Sequence, residues 1–118
     1  LYMRAFPIKY KEYLNLLHKY KDTYSSSQKS KTIILVTGVI EGSQAKSIGI
    51  YKGDIIKNYL GNKLKTTREL IKIVSANANS KRKKINIMII RNGETPIELS
   101  ISPGRIGVQI ETVDLSHL

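Results

Sequence analysis

The chain has no cysteine, which excludes disulfides, thiolate nucleophiles and cysteine-based metal sites and leaves stability to a packed core. Histidine is nearly absent as well. His18 and His117 both lie near the ends, so a Ser-His-Asp triad or a multi-histidine metal site would have to be assembled from terminal segments. No catalytic constellation and no cofactor are therefore expected. Long apolar runs are missing: nothing approaches the roughly 18–20 uncharged residues of a bilayer span. No apolar stretch with a small-residue cleavage site opens the chain, which is expected to be soluble as it stands. Acidic residues are scarce, 9 Asp+Glu against 20 Lys+Arg, for a net charge of +11. Such a field favours anionic partners: nucleic acid, acidic lipid or acidic peptide. The excess is spread over both halves of the chain, which fits a compositional bias better than a dedicated binding face.

What is present is the composition of an ordinary globular protein, 41% hydrophobic and 25% charged over 118 residues, enough for one domain and too little for a multi-domain enzyme. Residues 8–24 space Tyr10, Tyr13, Leu14, Leu17 and Tyr20 along one helical face, so residues 1–24 are read as an N-terminal amphipathic helix. Pro7 suits its first turn. Residues 25–31, from Ser25 to Lys31, have the polar composition of a flexible linker, and 32–118 form the domain proper. The stripe is expected to pack on the domain or a neighbouring chain, or to lie on a membrane surface as a basic helix. It must be buried somewhere, and 32–118 should fold without it.

After the linker the pattern changes to short apolar runs. Residues 33–40 form a β-branched run suited to a buried strand, and Ser43 caps a short helix over 44–48 ended by Gly49. Two short strands, 55–60 and 63–64, bracket a turn at Gly61-Asn62. Thr66 with Glu69 is a capping box that opens the one long helix of the domain, carrying Leu70, Ile71, Ile73 and Val74. Strands at 84–91 and 96–101 flank Asn92-Gly93, a strong hairpin signal, and a last alternating strand runs from Arg105 to Glu111. The predicted order is strand, short helix, two strands, long helix, three strands.

These residues carry a resemblance. Gly42-Ser43-Gln44-Ala45, then Ile48-Gly49-Ile50 and Gly53-Asp54-Ile55-Ile56, resemble the "GSPA…AGL…GDVI" block of PDZ domains of the bacterial, protease-associated kind, with Gln44 where proline is usual. Leu60-Gly61-Asn62 stands at the "NGK" position, Leu70 at the long-helix leucine, and Arg91-Asn92-Gly93 at "RDG". The match covers nearly all of residues 32–113. The carboxylate-binding loop of animal and trypsin-like-protease PDZ domains opens the domain, whereas its only good match here, Arg105-Ile106-Gly107-Val108, comes at the end. The resemblance thus implies a circularly permuted PDZ domain, similar to those of site-2-type membrane metalloproteases. The implied fold is α+β: a partial β-barrel of five to six mostly antiparallel strands, capped by one short and one long helix.

Physically, a strand beginning at a glycine turn exposes successive N–H groups that form a nest for a carboxylate, and a peptide can then extend along the strand edge. By resemblance, the amides of Ile106, Gly107 and Val108 would hold a peptide C-terminus, with Arg105 beside them. The walls would be Ile106, Val108 and Ile110 from the strand, with Ile71 and Val74 from the helix. Thr67 stands where members that choose Ser or Thr at the third residue from the peptide's end carry His, so an apolar or small side chain is expected there. Replacing Gly107 by valine is expected to abolish peptide binding and leave much of the fold intact. Ile71, Val74 and Ile110 could also be ordinary core.

Two further features have weaker readings. Lys81-Arg82-Lys83-Lys84 is a solvated loop or a contact for phosphates of lipid or nucleic acid, and nucleic acid lacks any base-stacking platform here. Asp54 reads as a turn-capping carboxylate. The function expected is non-catalytic recognition of a C-terminal or extended peptide, as a regulatory or substrate-sensing part of a bacterial envelope protease or scaffold. The alternatives are a docking domain of an envelope or secretion assembly whose groove is filled by its own chain, and a basic anion-surface binder. A homo-oligomer through the N-terminal helix and contact with a membrane surface are open partners. The cell envelope or periplasm follows from the resemblance alone.

Overall fold

The structure, a computed structural model, describes residues 8–24, 32–79, 81 and 84–115. Pro7, the linker 25–31, Arg82, Lys83 and the tail from Ser116 lie outside the described residues. A 3-10 stretch, Ile8–Tyr13, runs into helix α1, Leu14–Tyr24. Then follow β1 (Thr32–Val39), α2 (Gln44–Ile48), β2 (Ile55–Tyr59), β3 (Asn62–Lys63), α3 (Thr67–Ala76), β4 (Ile85–Arg91), β5 (Thr95–Ile101) and β6 (Val108–Asp114). The predicted order of strands and helices is the observed one. The first turns of the N-terminal helix are 3-10 rather than α, and β6 begins three residues later than the alternation suggested, because the chain is still turning at Gly107, with φ 90°.

All pairings are antiparallel, and the strands form one open six-stranded sheet in the order β5-β4-β2-β1-β6, with β3 paired to β2. The turns agree with their sequences. Asn92 (φ 57°) and Gly93 (φ 74°) both take positive φ, as the two-residue turn joining β4 and β5 requires. Ser43 caps α2, its side chain accepting from the Lys46 amide, and the Thr66–Glu69 capping box is complete.

The sheet has two faces and both are covered, which explains the unbroken apolar run of β1. Ile34 and Val36 enter one core with Ala45, Ile56, Tyr59, Leu70 and Ile87 beneath α2 and α3. Ile33 and Leu35 enter a second core with Ile55, Ile90, Val113 and Leu115. Tyr10, Tyr13, Leu17 and Tyr20 complete that second core, so the aromatic stripe is spent on the sheet and is not offered to a membrane or to another copy in this arrangement. Leu14, placed in the stripe by its spacing, is half-buried, and Leu16 joins the packing instead.

The helix approaches the sheet closely. At Gly93 a Cβ would collide with the Leu16 carbonyl, and at Gly53 it would come within 3.3 Å of Leu16 Cδ2. Polar contacts fix the helix at its margins: Tyr10 Oη donates to Glu111 Oε1 at 2.7 Å, Tyr24 Oη donates to the Glu94 carbonyl at 3.0 Å, and Lys52 pairs with Glu12 at 3.1 Å.

Candidate functional site

Among the described residues β6 is an edge strand of the sheet, and α3 lies beside it. Val108 and Ile110 of β6 and Val74 of α3 pack, half-buried, against the first core. Ile71 stands on α3 with 58% of its surface exposed, a large share for an isoleucine. Leu70, by contrast, is 2% exposed and anchors the helix. Thr67, at the first turn of α3, is bonded to β6: its N–H donates to Thr112 Oγ1 at 2.9 Å, and the two hydroxyls lie 3.2 Å apart. Thr67 and Val74 of α3 thus lie near Val108, Ile110 and Thr112 of β6, and Ile71 stands exposed on the same helix.

The segment before β6 is held from the side of α2. Ala45, in the first turn of α2, donates its N–H to the Ile106 carbonyl at 3.0 Å, and Ile40, at the end of β1, donates to the Gly107 carbonyl at 2.9 Å. The described peptide bonds are trans, and across a trans peptide the carbonyl and the next N–H point in opposite directions. The Gly107 N–H therefore points away from α2, and the Val108 N–H points away from β1, out over the free edge. Ile106 itself is buried in the first core, and Arg105 is exposed.

Two findings revise the expected roles. A side chain at Gly107 would run into Cβ and Oγ of Ser43, the cap of α2, rather than into an incoming carboxylate, and φ there is 90°. Substitution would break the seat of the loop, so a valine at this position cannot separate binding from folding. Second, Gln44, noted only as a departure from the usual proline, is the brace of the loop. Its Nε2 donates to the carbonyls of Ser102 (3.0 Å) and Arg105 (2.9 Å), and its Oε1 accepts from the Ser102 N–H at 2.9 Å. A side-chain amide can donate and accept at once, which proline cannot.

Asp54, 2% exposed, accepts from Arg91 Nε at 3.1 Å and Nη2 at 2.8 Å and from the Tyr51 N–H at 2.8 Å. Arg91 Nη2 also donates to the Gly49 carbonyl, and its guanidinium stacks 4.6 Å from the Tyr51 ring centre. The Asp54 hydrogen bonds raise the Arg91 pKa still further above the ordinary range, against the opposing effect of burial. This pair ties the α2–β2 corner to β4 and is structural, as the turn-capping reading of Asp54 requires. Lys81 and Lys84 are exposed, and the middle of the basic run lies outside the described residues.

No protein-family model matches the sequence, and no curated protein matches it either. Solved structures do match. The PDZ domain of the SdrC-like protein of Listeria monocytogenes is 19% identical with a TM-score of 0.51, covering 65% of this chain and 85% of that one. The PDZ domain of the SdrC-like protein of Listeria innocua is 23% identical with a TM-score of 0.53, covering 66% of this chain and 92% of that one. At these identities what is shared is the fold, and the chain has the fold of PDZ domains.

Proposed function

We propose that the chain is a non-catalytic recognition module that takes the C-terminus of a peptide between β6 and α3. In this reading the carboxylate loop is Arg105-Ile106-Gly107-Val108, moved to the end of the domain by circular permutation. The observation that carries it is the orientation of two successive amides. With the Ile106 and Gly107 carbonyls taken by Ala45 and Ile40, the N–H groups of Gly107 and Val108 point outward at the start of a free strand edge. Two such amides can serve an anion as a nest, and a peptide carboxylate supplies both the charge and a chain that can continue along the strand. The opposite edge is less suited: β5 carries the exposed Pro96, which has no N–H to give and blunts strand addition. The described N-terminal residues lie in the second core, on the face opposite this channel, which argues against their filling it.

Peptides selected from a random C-terminal library, titrated calorimetrically as free acids and as amides, test the reading. Losing a charge-assisted contact should weaken the amides at least about tenfold. Equal affinity for acid and amide contradicts a carboxylate nest.

A further inference from the structure

Resting on the peptide reading above, we infer that the ligand is an acidic C-terminal segment, an apolar last residue preceded by Asp or Glu, selected by a basic rim of Arg68, Lys72 and Arg105. Thr67 turns toward β6, where it meets Thr112, and Leu70 turns into the core. At about 100° per residue, Ile71, Arg68 and Lys72 follow Thr67 in that order round the helix, away from Leu70. All three are exposed. Arg68 stands in the first turn of α3 and Lys72 one turn further on, while Arg105 is exposed just before Ile106, at the loop that would take the carboxylate.

The carboxylates that could neutralise this rim are engaged elsewhere. Glu69, the only acidic residue of α3, accepts from the Lys65 and Thr66 amides at 2.7 and 3.1 Å in the capping box. Glu111 of β6 accepts from Tyr10 Oη, on the side of the second core, and Glu41 pairs with Lys46 at 3.6 Å. Asp114, the other acidic residue of β6, lies past Thr112. Arg68, Lys72 and Arg105, by contrast, take part in no ion pair among the described residues. Their charge is available to a ligand.

Charge alone would suit any anion, and two observations narrow it. Ile71, 58% exposed, comes between Thr67 and Arg68 round the helix, so an apolar surface separates the basic groups from the strand edge. A phosphodiester chain would leave that surface bare, and neither α3 nor β6 carries an aromatic side chain on which a base could stack. The strand edge, in turn, offers backbone pairing that a peptide can use and a nucleic acid cannot. A peptide with both acidic and apolar side chains covers all of these surfaces. The net charge of +11 adds long-range attraction for the same ligand.

The test uses the full chain and one apolar-ending peptide from a random C-terminal library, made in two forms, with Glu or with Gln at every position before the last residue. An exposed ion pair is worth about fivefold at most, and with several on offer the Glu form should bind about tenfold more tightly at low salt. That advantage should shrink to about twofold or less near 1 M salt, where the screening length is about 3 Å. The double variant Arg68→Gln, Lys72→Gln should remove most of the advantage. It should leave the melting temperature unchanged and the affinity for the Gln form within about twofold of wild type, because both side chains are exposed and unpaired. Arg68→Lys with Lys72→Arg, which keeps both charges, should retain the preference. If both forms bind the wild type alike, the acidic preference is overturned and the peptide reading stands. A double variant that keeps the full preference overturns the rim. A single-stranded oligonucleotide that displaces the Glu form as readily as unlabelled Glu peptide does would make this a general anion surface, and overturns the proposal too. If neither form binds, the peptide reading fails and takes the inference with it.

Discussion

The two faces of the sheet are roofed in different ways. One lies under α2 and α3, helices that alternate in sequence with the strands they cover, and on α3 Ile71 stays exposed. The other is sealed by one aromatic helix from the far end of the chain, seated so closely that Gly93 has no space for a Cβ. β6 takes part in both: Val108 and Ile110 pack on the first face, while Val113 and the following Leu115 enter the second. The Tyr10–Glu111 bond holds the same strand from behind. An edge strand is thus held by burial on both faces of the sheet. In this account stability is concentrated on the sealed face and recognition on the open one.

The sharpest way to break this comparison is to remove residues 1–31. That strips Tyr10, Tyr13, Leu17 and Tyr20 from the second core, each worth about 1.5–3 kcal/mol of burial, a total on the scale of a domain's whole stability. Cooperative thermal unfolding should be lost or shifted far down. A truncated 32–118 that melts as sharply and as high as the full chain would make 25–31 a true domain boundary and the helix an accessory.

Next in size, Asp54→Ala should cost about 3 kcal/mol or more in chemical denaturation, because it leaves the Arg91 guanidinium half-buried without its carboxylate. Leu70→Ala and Ile71→Ala sharpen the open face. The first removes a buried side chain and should cost about 2–5 kcal/mol. The second should change stability by less than about 1 kcal/mol, given its exposure, while weakening peptide affinity. A larger stability loss for Ile71→Ala would misplace the channel.

The smallest effect is a gain. Tyr59 is fully buried, and its hydroxyl has no hydrogen-bond partner among the described residues, so Tyr59→Phe should stabilise the protein by about 1 kcal/mol. Burial raises the Tyr59 pKa above 10.0, so the phenol stays neutral in the folded state while the unfolded chain ionises. Its contribution is full below pH 10.0 and is lost as pH climbs from there through the raised folded-state value. Denaturation curves at rising alkaline pH should show this loss reduced in Tyr59→Phe.

Much of the fold was legible because local chemistry and tertiary packing agree. The run Ile33-Ile34-Leu35-Val36 reads as a buried strand, and it is buried on both faces. Ser43 and the Thr66–Glu69 pair read as caps, and they cap. The helix and the strand that carry the proposed channel residues could be placed from motif order. What could not be read were contacts between distant segments. Nothing local marks Gly93 as the seat of Leu16, since its positive φ already accounts for a glycine. Nothing local couples Thr112 to Thr67, or Gln44 to the Ser102 and Arg105 carbonyls. The expectation for Gly107 missed because spacing gives a residue's place in a loop and not the direction in which its Cβ would point.

The most direct test of the central claim is an amide chemical-shift map of the isotope-labelled full chain, titrated with a C-terminal peptide as free acid and then as amide. The account predicts that the free acid shifts the amides of Ile106, Gly107 and Val108, with smaller changes at Ile110 and along α3 at Ile71 and Val74. It predicts that the amidated peptide leaves the first three nearly unmoved. Shifts centred on the β5 edge, or the same response at residues 106–108 to both peptides, would contradict it.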